Sequence, residues 1–457
     1  PEMDIPAAFK EAQALAPQER GRWKVASPSE HLARGEWWRV FDDSVLDTLE
    51  QQAAEANPGL KAAAARVVQA RAVAGIARAD RAPQVDVGFG PTRSRLSAVA
   101  AGLPEGAGVP TTTTWRALAS VSYEVDLFGR VANSVSAAQS DAEGAQATYR
   151  SVLLALQADV ATFYFALRQT DAELALLRDT VRLREESVQL LQRRFDAGDI
   201  GELDLARAKT ELATTQSDAV GLERTRAEQE HALAVLLGKA PAAFTLAPAP
   251  VAGTAPPPIP PGLPSALLER RPDIAAAQRA MAAANARIGV ARSAFFPSLV
   301  LTGNGGFESA DLSDLFRWSS RTWLLGPLFG TLLTQTVFDG GRRQANVERT
   351  RGALEESVAD YRQRVLAAFG EVEDSLAALR VLAEQAGHQR QAIANSRRAV
   401  HISRSRYDAG LVNYLDVIDA QRSLLAAERQ ATQIQGAREA STVALVRALG
   451  GGWSSVE

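Results

Sequence analysis

The chain has 457 residues, with 50 Lys and Arg against 53 Asp and Glu and a formal charge of -3, a balance that offers no basic surface for nucleic acid. Cys is absent, which excludes disulfides and thiolate chemistry, and only 6% of residues are aromatic beside 46% hydrophobic, so helices packed through small side chains are expected. No apolar run of about 18 residues and no leader pattern at Pro1 suggests a transmembrane helix or a signal peptide, so a processed or trimmed N-terminus is expected.

Residues 1–56 precede the first periodic element, a short helix expected over about Pro58 to Arg81. Gln84 to Thr92 then alternates, with Val85, Val87 and Phe89 against Gln84, Asp86 and Gly88. Thr114 to Asp126 does the same, with Trp115, Ala117, Ala119, Val121, Tyr123 and Val125 against Arg116, Ser120, Ser122, Glu124 and Asp126. Period two with one polar face predicts strands within 84–128. After Gly129-Arg130, apolar residues step by three and four from Leu153 to Phe195, and only Thr170 and Arg184 on that spacing are polar. That is a coiled-coil seam, and it predicts one helix over about 130–196, roughly 100 Å long at 1.5 Å per residue. An Asp-Ala-Gly turn ends it, and another helix follows over about 202–237. The Pro-rich run 239–270 reads as an extended connector.

Beyond that connector the chain repeats itself. RRFDAGDIGELDLARAKTEL from Arg193 returns as SRYDAGLVNYLDVIDAQRSL from Ser405, 212 positions on, and Asn57 to Gly90 returns as Arg271 to Asn304, 214 positions on. The copies are 57–238 and 271–450, with a tail at 451–457. The second copy predicts a short helix over about Pro272 to Ala294, strands within 297–338, a long helix over about 342–408 with smaller seam residues (Ala368, Ser375, Ala386), and a helix over about 414–449. The two short helices of a copy, stacked end to end, would reach roughly 90 Å, close to the long one. A period above 200 residues is too long for a solenoid and points to pseudo-symmetry within one structure.

Four amphipathic strands of about 10 to 13 residues, with aromatic residues near their ends, have the alternation of an outer-membrane barrel wall. One chain cannot close it, because barrels start at about eight strands and an open edge is not tolerated in lipid. Two chains would give eight strands and a filled bore, three would give twelve and a lumen. The plainer alternative is a small soluble sheet at one end of a helical rod.

WWRVFDDSVLDTLEQQAAEANPGLKAA (37–63), IPPGLPSALLERRPDI (259–274), VFDGGRR (337–343) and RYDAGLVNYLDVIDAQRSLL (406–425) resemble the TolC-like outer-membrane efflux protein family, in its NodT-type branch of multidrug pumps. The resemblance covers nearly the whole chain. It implies a mixed, mostly α membrane protein: a homotrimer with a twelve-stranded outer-membrane barrel, four strands per chain, continuous with a long periplasmic α-helical barrel. An equatorial region would hold residues 1–56 and the linker 239–270. The implied partners are a periplasmic adaptor (membrane fusion) protein, an inner-membrane transporter of the RND type and outer-membrane lipid, with no nucleic acid and no cofactor. Many members of this branch start at a lipidated Cys shortly before a segment like PEMDIPAAFKEA; the chain lacks it, which leaves lipidation open.

No catalytic constellation occurs: His31, His231, His388 and His401 are scattered without metal-ligand spacing, and Gly303, Gly305 and Gly306 read as strand kinks. The turns carry more. Asp416 and Asp419 share one helix face with Leu415 one turn before Asp419, and in the family the matching positions form carboxylate rings at the periplasmic constriction. The first copy has Asp204 at the place of Asp416 but Arg207 at that of Asp419. The resemblance implies a closed-state bond from Asp204 to Tyr407. A further Arg partner used by some members falls at Val412, and Arg207 is expected to take its place by pairing with Asp416 or Asp419 of a neighbouring hairpin. The turns at Gly198-Asp199 and Gly410-Leu411 resemble the tips that meet an adaptor. The reading is thus a passive exit duct of a tripartite multidrug efflux pump, gated at its periplasmic end. Its rivals are the exit duct of a type I protein secretion system and a soluble coiled-coil scaffold.

Overall fold

The computed structural model describes residues 9–11, 36–104, 106–249, 267–326 and 333–451. Most of the N-terminal segment, linker residues 250–266, residues 327–332 of the fourth expected strand and the tail after 451 lie outside them. Two compact units are present: Pro1–Ala65, Gln146–Ala275 and Arg362–Glu457 make one, and Arg66–Ala145 with Ala276–Tyr361 the other.

The helices are α1 (Ser44–Ala56), α2 (Pro58–Ala79), α3 (Arg130–Asp196), α4 (Glu202–Leu236), the short α5 (Leu267–Arg270), α6 (Pro272–Ser293), α7 (Arg342–Asp408) and α8 (Tyr414–Ala448). α3 and α7 are 67 residues each and α4 and α8 are 35 each. Both pairs begin and end 212 positions apart, so the duplication is conserved in backbone conformation to the residue.

In the first unit the core gathers Leu46, Leu49 and Ala53 of α1 with Trp37 and Trp38, Val160, Ala161, Tyr164 and Phe165 of α3, Leu233 of α4, and Val443 and Val446 of α8. α1 is a helix that the repeat did not announce. Asp43 caps it, accepting from the Val45 and Leu46 amides at 2.9 and 3.1 Å and from the Tyr164 hydroxyl at 2.5 Å. Short helices meet end on at equivalent places in the two copies: the Asn57 amide donates to the Leu236 carbonyl at 2.8 Å, and the Arg271 guanidinium to the Ala448 carbonyl at 3.1 Å. The described start of the Pro-rich linker is pinned to α3 and α4. Arg168 and Arg226 donate to the carbonyls of Ala247 and Leu246 at 2.7 and 2.6 Å, and Asp171 accepts from the Ala249 amide at 3.1 Å. At the other end of the chain, Glu373 of α7 accepts from the amides of Lys10 and Glu11 at 2.6 and 2.9 Å.

The second unit holds the sheet, with strands β1 (Gln84–Ser94), β2 (Thr112–Val125), β3 (Ser298–Ser309), β4 (Arg321–Leu325) and β5 (Leu333–Thr334). All pairings are antiparallel in the order β1-β2-β3-β4, and β5 also pairs with β3, so β4 and β5 act as one interrupted fourth strand. The register lines up Val85 with Val121, Val87 with Ala119, Tyr123 with Leu301, Gly305 with Trp323 and Leu299 with Leu333. Directly opposed residues share a face, so one side of the sheet is apolar across its whole width while Asp86, Ser120, Ser122, Glu124 and Asn304 lie on the other. Gly306 is required by crowding: a Cβ there would fall 2.1 Å from the Ala117 carbonyl oxygen of β2. Among the described residues, β1 and the β4/β5 strand are left as open edges.

One carboxyl in the first unit sits against expectation. Glu50 of α1 is fully buried, and neither of its carboxyl oxygens has a hydrogen-bond partner among the described residues. Desolvation, with the nearby Asp47 charge adding to it, pushes its pKa from 4.5 up to about 9. The folded chain therefore keeps a proton that the unfolded chain releases near 4.5, and stability falls as pH rises between those values. Glu50→Gln removes this cost. The variant should melt at a higher temperature than the parent, by a margin that grows from mildly acidic to mildly alkaline buffer; a margin independent of pH would show that Glu50 is not held protonated.

Candidate functional site: the hairpin tips

Both tips lie in the first unit and use the same device. At the end of α3, Gly198 adopts a φ of 79° and the Asp199 amide donates back to the Arg194 carbonyl at 2.8 Å; at the end of α7, Gly410 has a φ of 71° and the Leu411 amide donates to the Arg406 carbonyl at 2.9 Å. These are Schellman closures, in which the left-handed residue is best a Gly. A Cβ at either position would touch nothing, so backbone conformation is the reason for the glycine there. Asn413 caps α8 through the Asp416 amide at 3.3 Å, whereas Gly201 caps α4 with no side chain.

The hairpin α3/α4 and the hairpin α7/α8 are joined just behind the tips by Leu191, Leu205, Ala208, Tyr414, Val417 and Ile418, with Tyr407 and Ile200 at the margin. Tyr407 lies edge-on to Tyr414, ring centroids 5.2 Å apart. Its hydroxyl is met by Arg194, which donates at 3.3 Å and places its guanidinium 5.4 Å from the ring centre. Tyr407 is held above its ordinary pKa by burial, an effect that the Arg194 charge opposes and the Asp204 charge supports. Asp204 is therefore close to Tyr407, but the hydroxyl bond expected between them is made by Arg194, and the ion-pair partner of Asp204 is Arg207 on its own helix at 3.7 Å. That i,i+3 pair occupies Arg207 within the chain. The pairing expected between Arg207 and Asp416 or Asp419 is not among the contacts of the described residues in one chain.

Asp416 and Asp419 are exposed on α8 and Leu415 is half-buried. Asp419 lies 3.6 Å from Arg422. Arg422 also reaches across to the other hairpin, where its Nε donates to Glu211 of α4 at 2.9 Å. Glu211 is buried between two arginines, because Arg184 of α3 approaches its other oxygen at 3.1 Å and donates to its carbonyl at 2.7 Å and to the Thr215 hydroxyl. About two turns further back, Arg429 of α8 meets Glu173 of α3 at 2.7 Å and Asp218 of α4 at 3.3 Å. This ionic seam between hairpins was missed in the sequence, although Arg184 had signalled it as one of two polar residues on an otherwise apolar spacing. Gly198, Asp199, Gly410 and Leu411 are all exposed at the turns.

With that geometry in place, the outer membrane efflux protein family model matches residues 49–239 and 263–451. The chain belongs to that family. The toluene efflux pump outer membrane protein TtgF of Pseudomonas putida is 34% identical over 460 residues, covering 100% of this chain and 93% of its own length. The cation efflux system protein CusC of Escherichia coli is 32% identical over 457 residues, 99% of this chain and 94% of its own length. Among solved structures, the open state of the Neisseria gonorrhoeae MtrE outer membrane channel superposes with a TM-score of 0.82 at 27% identity, covering 99% of this chain and 96% of that one. As an outer membrane efflux protein the chain is a component of a homotrimer, in which three copies of the four-stranded sheet make a twelve-stranded barrel and the long helices make an α-helical barrel. The open edges of β1 and β4/β5 are what the neighbouring copies cover.

The buried ion pairs give a test of tip packing. Glu211→Leu strands the Arg184 charge, and removing one partner of a buried pair costs about 3–5 kcal/mol. Faster hydrogen exchange in 184–215 should report it. Adding Arg184→Met should restore most of the protection, whereas a double variant no better than Glu211→Leu would show that the pair is not coupled.

Proposed function

We propose that the chain is the exit duct of a tripartite multidrug efflux pump, closed at its periplasmic end by a ring built from Leu415, Asp416 and Asp419 of three α8 helices. The observation that carries the gate is the exposure of both carboxylates on one face of α8 next to the tip. Threefold symmetry would bring six carboxylates around one axis, which raises the field in a narrow pore and favours cations. Tyr407, Arg194, Asp204 and Arg207 set the position of the α7/α8 tip against the α3/α4 tip. The exposed turns Gly198-Asp199 and Gly410-Leu411 are the points for a periplasmic adaptor, and an inner-membrane transporter of the RND type supplies the energy that the duct itself does not use. TtgF and CusC are named for pumps of toluene and of cations, which supports the efflux reading over protein secretion.

Planar-bilayer recording tests the gate. Asp416→Ala/Asp419→Ala should raise conductance and lose block by added divalent cations, with trimer assembly unchanged. The same cation block in parent and variant would remove the two carboxylates from the constriction.

A further inference from the structure

All helices join the sheet at one end: β1 follows α2, β2 leads into α3, β3 follows α6 and β5 leads into α7. The opposite end carries the connections 95–111 and 310–320, which face away from the periplasm in the outer membrane. Two arginines stand there on the apolar side of the sheet. Arg93 alternates with Val85, Val87 and Phe89 along β1 and is paired with Thr113. Arg321 opens β4 and lies in one row with Phe307, Ala117 and Phe89, which share that side. Both arginines are exposed, and they occupy opposite edges of the sheet.

In the closed barrel those edges meet. Phe89 lies five residues before the end of β1, while Arg321, in the same row, is the first residue of β4. Rows therefore climb toward the loop end from β1 to β4. One further step of about two residues, which the stagger of a barrel supplies, sets Arg321 of one copy beside Arg93 and Arg95 of the next. The other arginines at this end are occupied: Arg116 pairs with Glu308 on the inner face at 2.9 Å, and Arg317 with Asp314 at 3.0 Å. Arg93, Arg95 and Arg321 have no ion pair among the described residues, where Asp311 is the one unpaired acid at this end. Arg321 donates from Nε to the Trp318 carbonyl at 2.9 Å and lies 3.0 Å over the centre of the Trp318 ring. These contacts hold the guanidinium in place and leave its two terminal nitrogens without an acceptor among the described residues.

Phe89 and Trp323 lie just below on the same side, 64% and 76% exposed, at the depth of an aromatic girdle. The arginines therefore stand at the level of lipid headgroups. Guanidinium groups placed side by side repel each other unless an anion lies between them, and their forks fit phosphate oxygens in pairs. Two such cations match a phosphate monoester, which carries close to two negative charges at neutral pH, better than a singly charged diester. We propose that Arg93 of one copy and Arg321 of the next form a phosphate-binding site at each boundary between copies, on the outer face of the barrel, and that its ligand is the phosphate monoester of an outer-leaflet glycolipid. The site opens on the acyl-chain side of the wall, where Phe89 and Trp323 meet the chains of the same lipid, so the phosphate is lipid-borne rather than free. Neither edge of the sheet makes the site alone.

Native mass spectrometry of the purified full-length trimer, titrated with bis-phosphorylated lipid A, tests the site. The parent should saturate at three lipids per trimer, one for each boundary; saturation at six would overturn the sharing between copies. Arg93→Gln and Arg321→Gln should each weaken retention by about tenfold or more, as expected for one charge-assisted contact. Unchanged retention in either variant would overturn the assignment. Lipid A stripped of its phosphates keeps the same acyl chains and should not be retained, and phosphatidylglycerol, a singly charged diester, should bind more weakly than lipid A. Equal retention of either lipid would overturn the monoester as ligand. Arg93→Lys/Arg321→Lys keeps both charges, so it decides the case where the Gln variants do not assemble: its trimer should retain lipid A less well than the parent, and retention equal to the parent would overturn recognition by the guanidinium forks.

Discussion

A strand edge in lipid has no water to satisfy its amides and carbonyls, and the sheet of this chain has two such edges. The cost of each unpaired group is several kcal/mol, so the four strands cannot stand in a membrane by themselves. Much else in the sheet follows from that. The apolar face must run unbroken from β1 to β4/β5 because other copies extend it in both directions, and Gly306 must lack a side chain because β2 and β3 approach too closely for a Cβ. Oligomerisation here is a condition of the fold rather than an addition to it.

The duplication answers a second demand. A trimer offers threefold symmetry, but a helical wall of six hairpins needs neighbours that pack equally well on both sides. Two copies of the hairpin in one chain supply it, and helix ends that coincide at a spacing of 212 show how closely the copies have kept a common backbone. Side chains have not been held to the same rule. Burying Glu211 between Arg184 and Arg422 stabilises little in net terms, since desolvation offsets most of the Coulomb gain. It does make the seam selective, because a hairpin lacking the complementary charge would leave these groups unpaired. The buried ions specify which hairpin goes where.

Those parts of the structure that repeat were legible in the sequence, and those that occur once were not. Period-three-and-four spacing from Leu153 to Phe195 lies within α3, and alternation over Gln84 to Thr92 and Thr114 to Asp126 falls on β1 and, but for its last residue Asp126, on β2, because a long periodic run leaves only one face to bury. α1 precedes the residues over which the sequence repeat was traced, and the Glu50 that it buries gave no sign of its surroundings. At the tip, Asp204 and Tyr407 were read as partners, yet Arg194 is better placed: it leaves α3 one turn before the Schellman closure and reaches both the ring and the hydroxyl. Arg207 was expected to meet Asp416 or Asp419 of a neighbouring hairpin, and within one chain it lies against Asp204 three residues before it on the same helix. Within one chain an i,i+3 neighbour such as Asp204 needs no assembly to be in reach of Arg207, whereas Arg194 reaches Tyr407 from the other hairpin.

The charge left at the tip depends on how Arg422 is shared. Its contact with Asp419 is 3.6 Å long and solvent-exposed, the kind of pair that contributes about 0–1 kcal/mol. Its contact with Glu211 is shorter and sets the guanidinium against a carboxylate that is shielded from water, where the same Coulomb term is several times larger. Arg422 is therefore committed to Glu211 and neutralises Asp419 only weakly. Glu211 in turn already faces Arg184, so the three groups together carry one positive charge, held at and behind the α4 surface. In the proposed ring, Asp416 and Asp419 then act as acids whose negative field is set back from full strength by a fixed cation, one helical turn away in each chain. A channel built this way attracts cations to its mouth through the exposed acids and keeps its hairpins in register through the buried one.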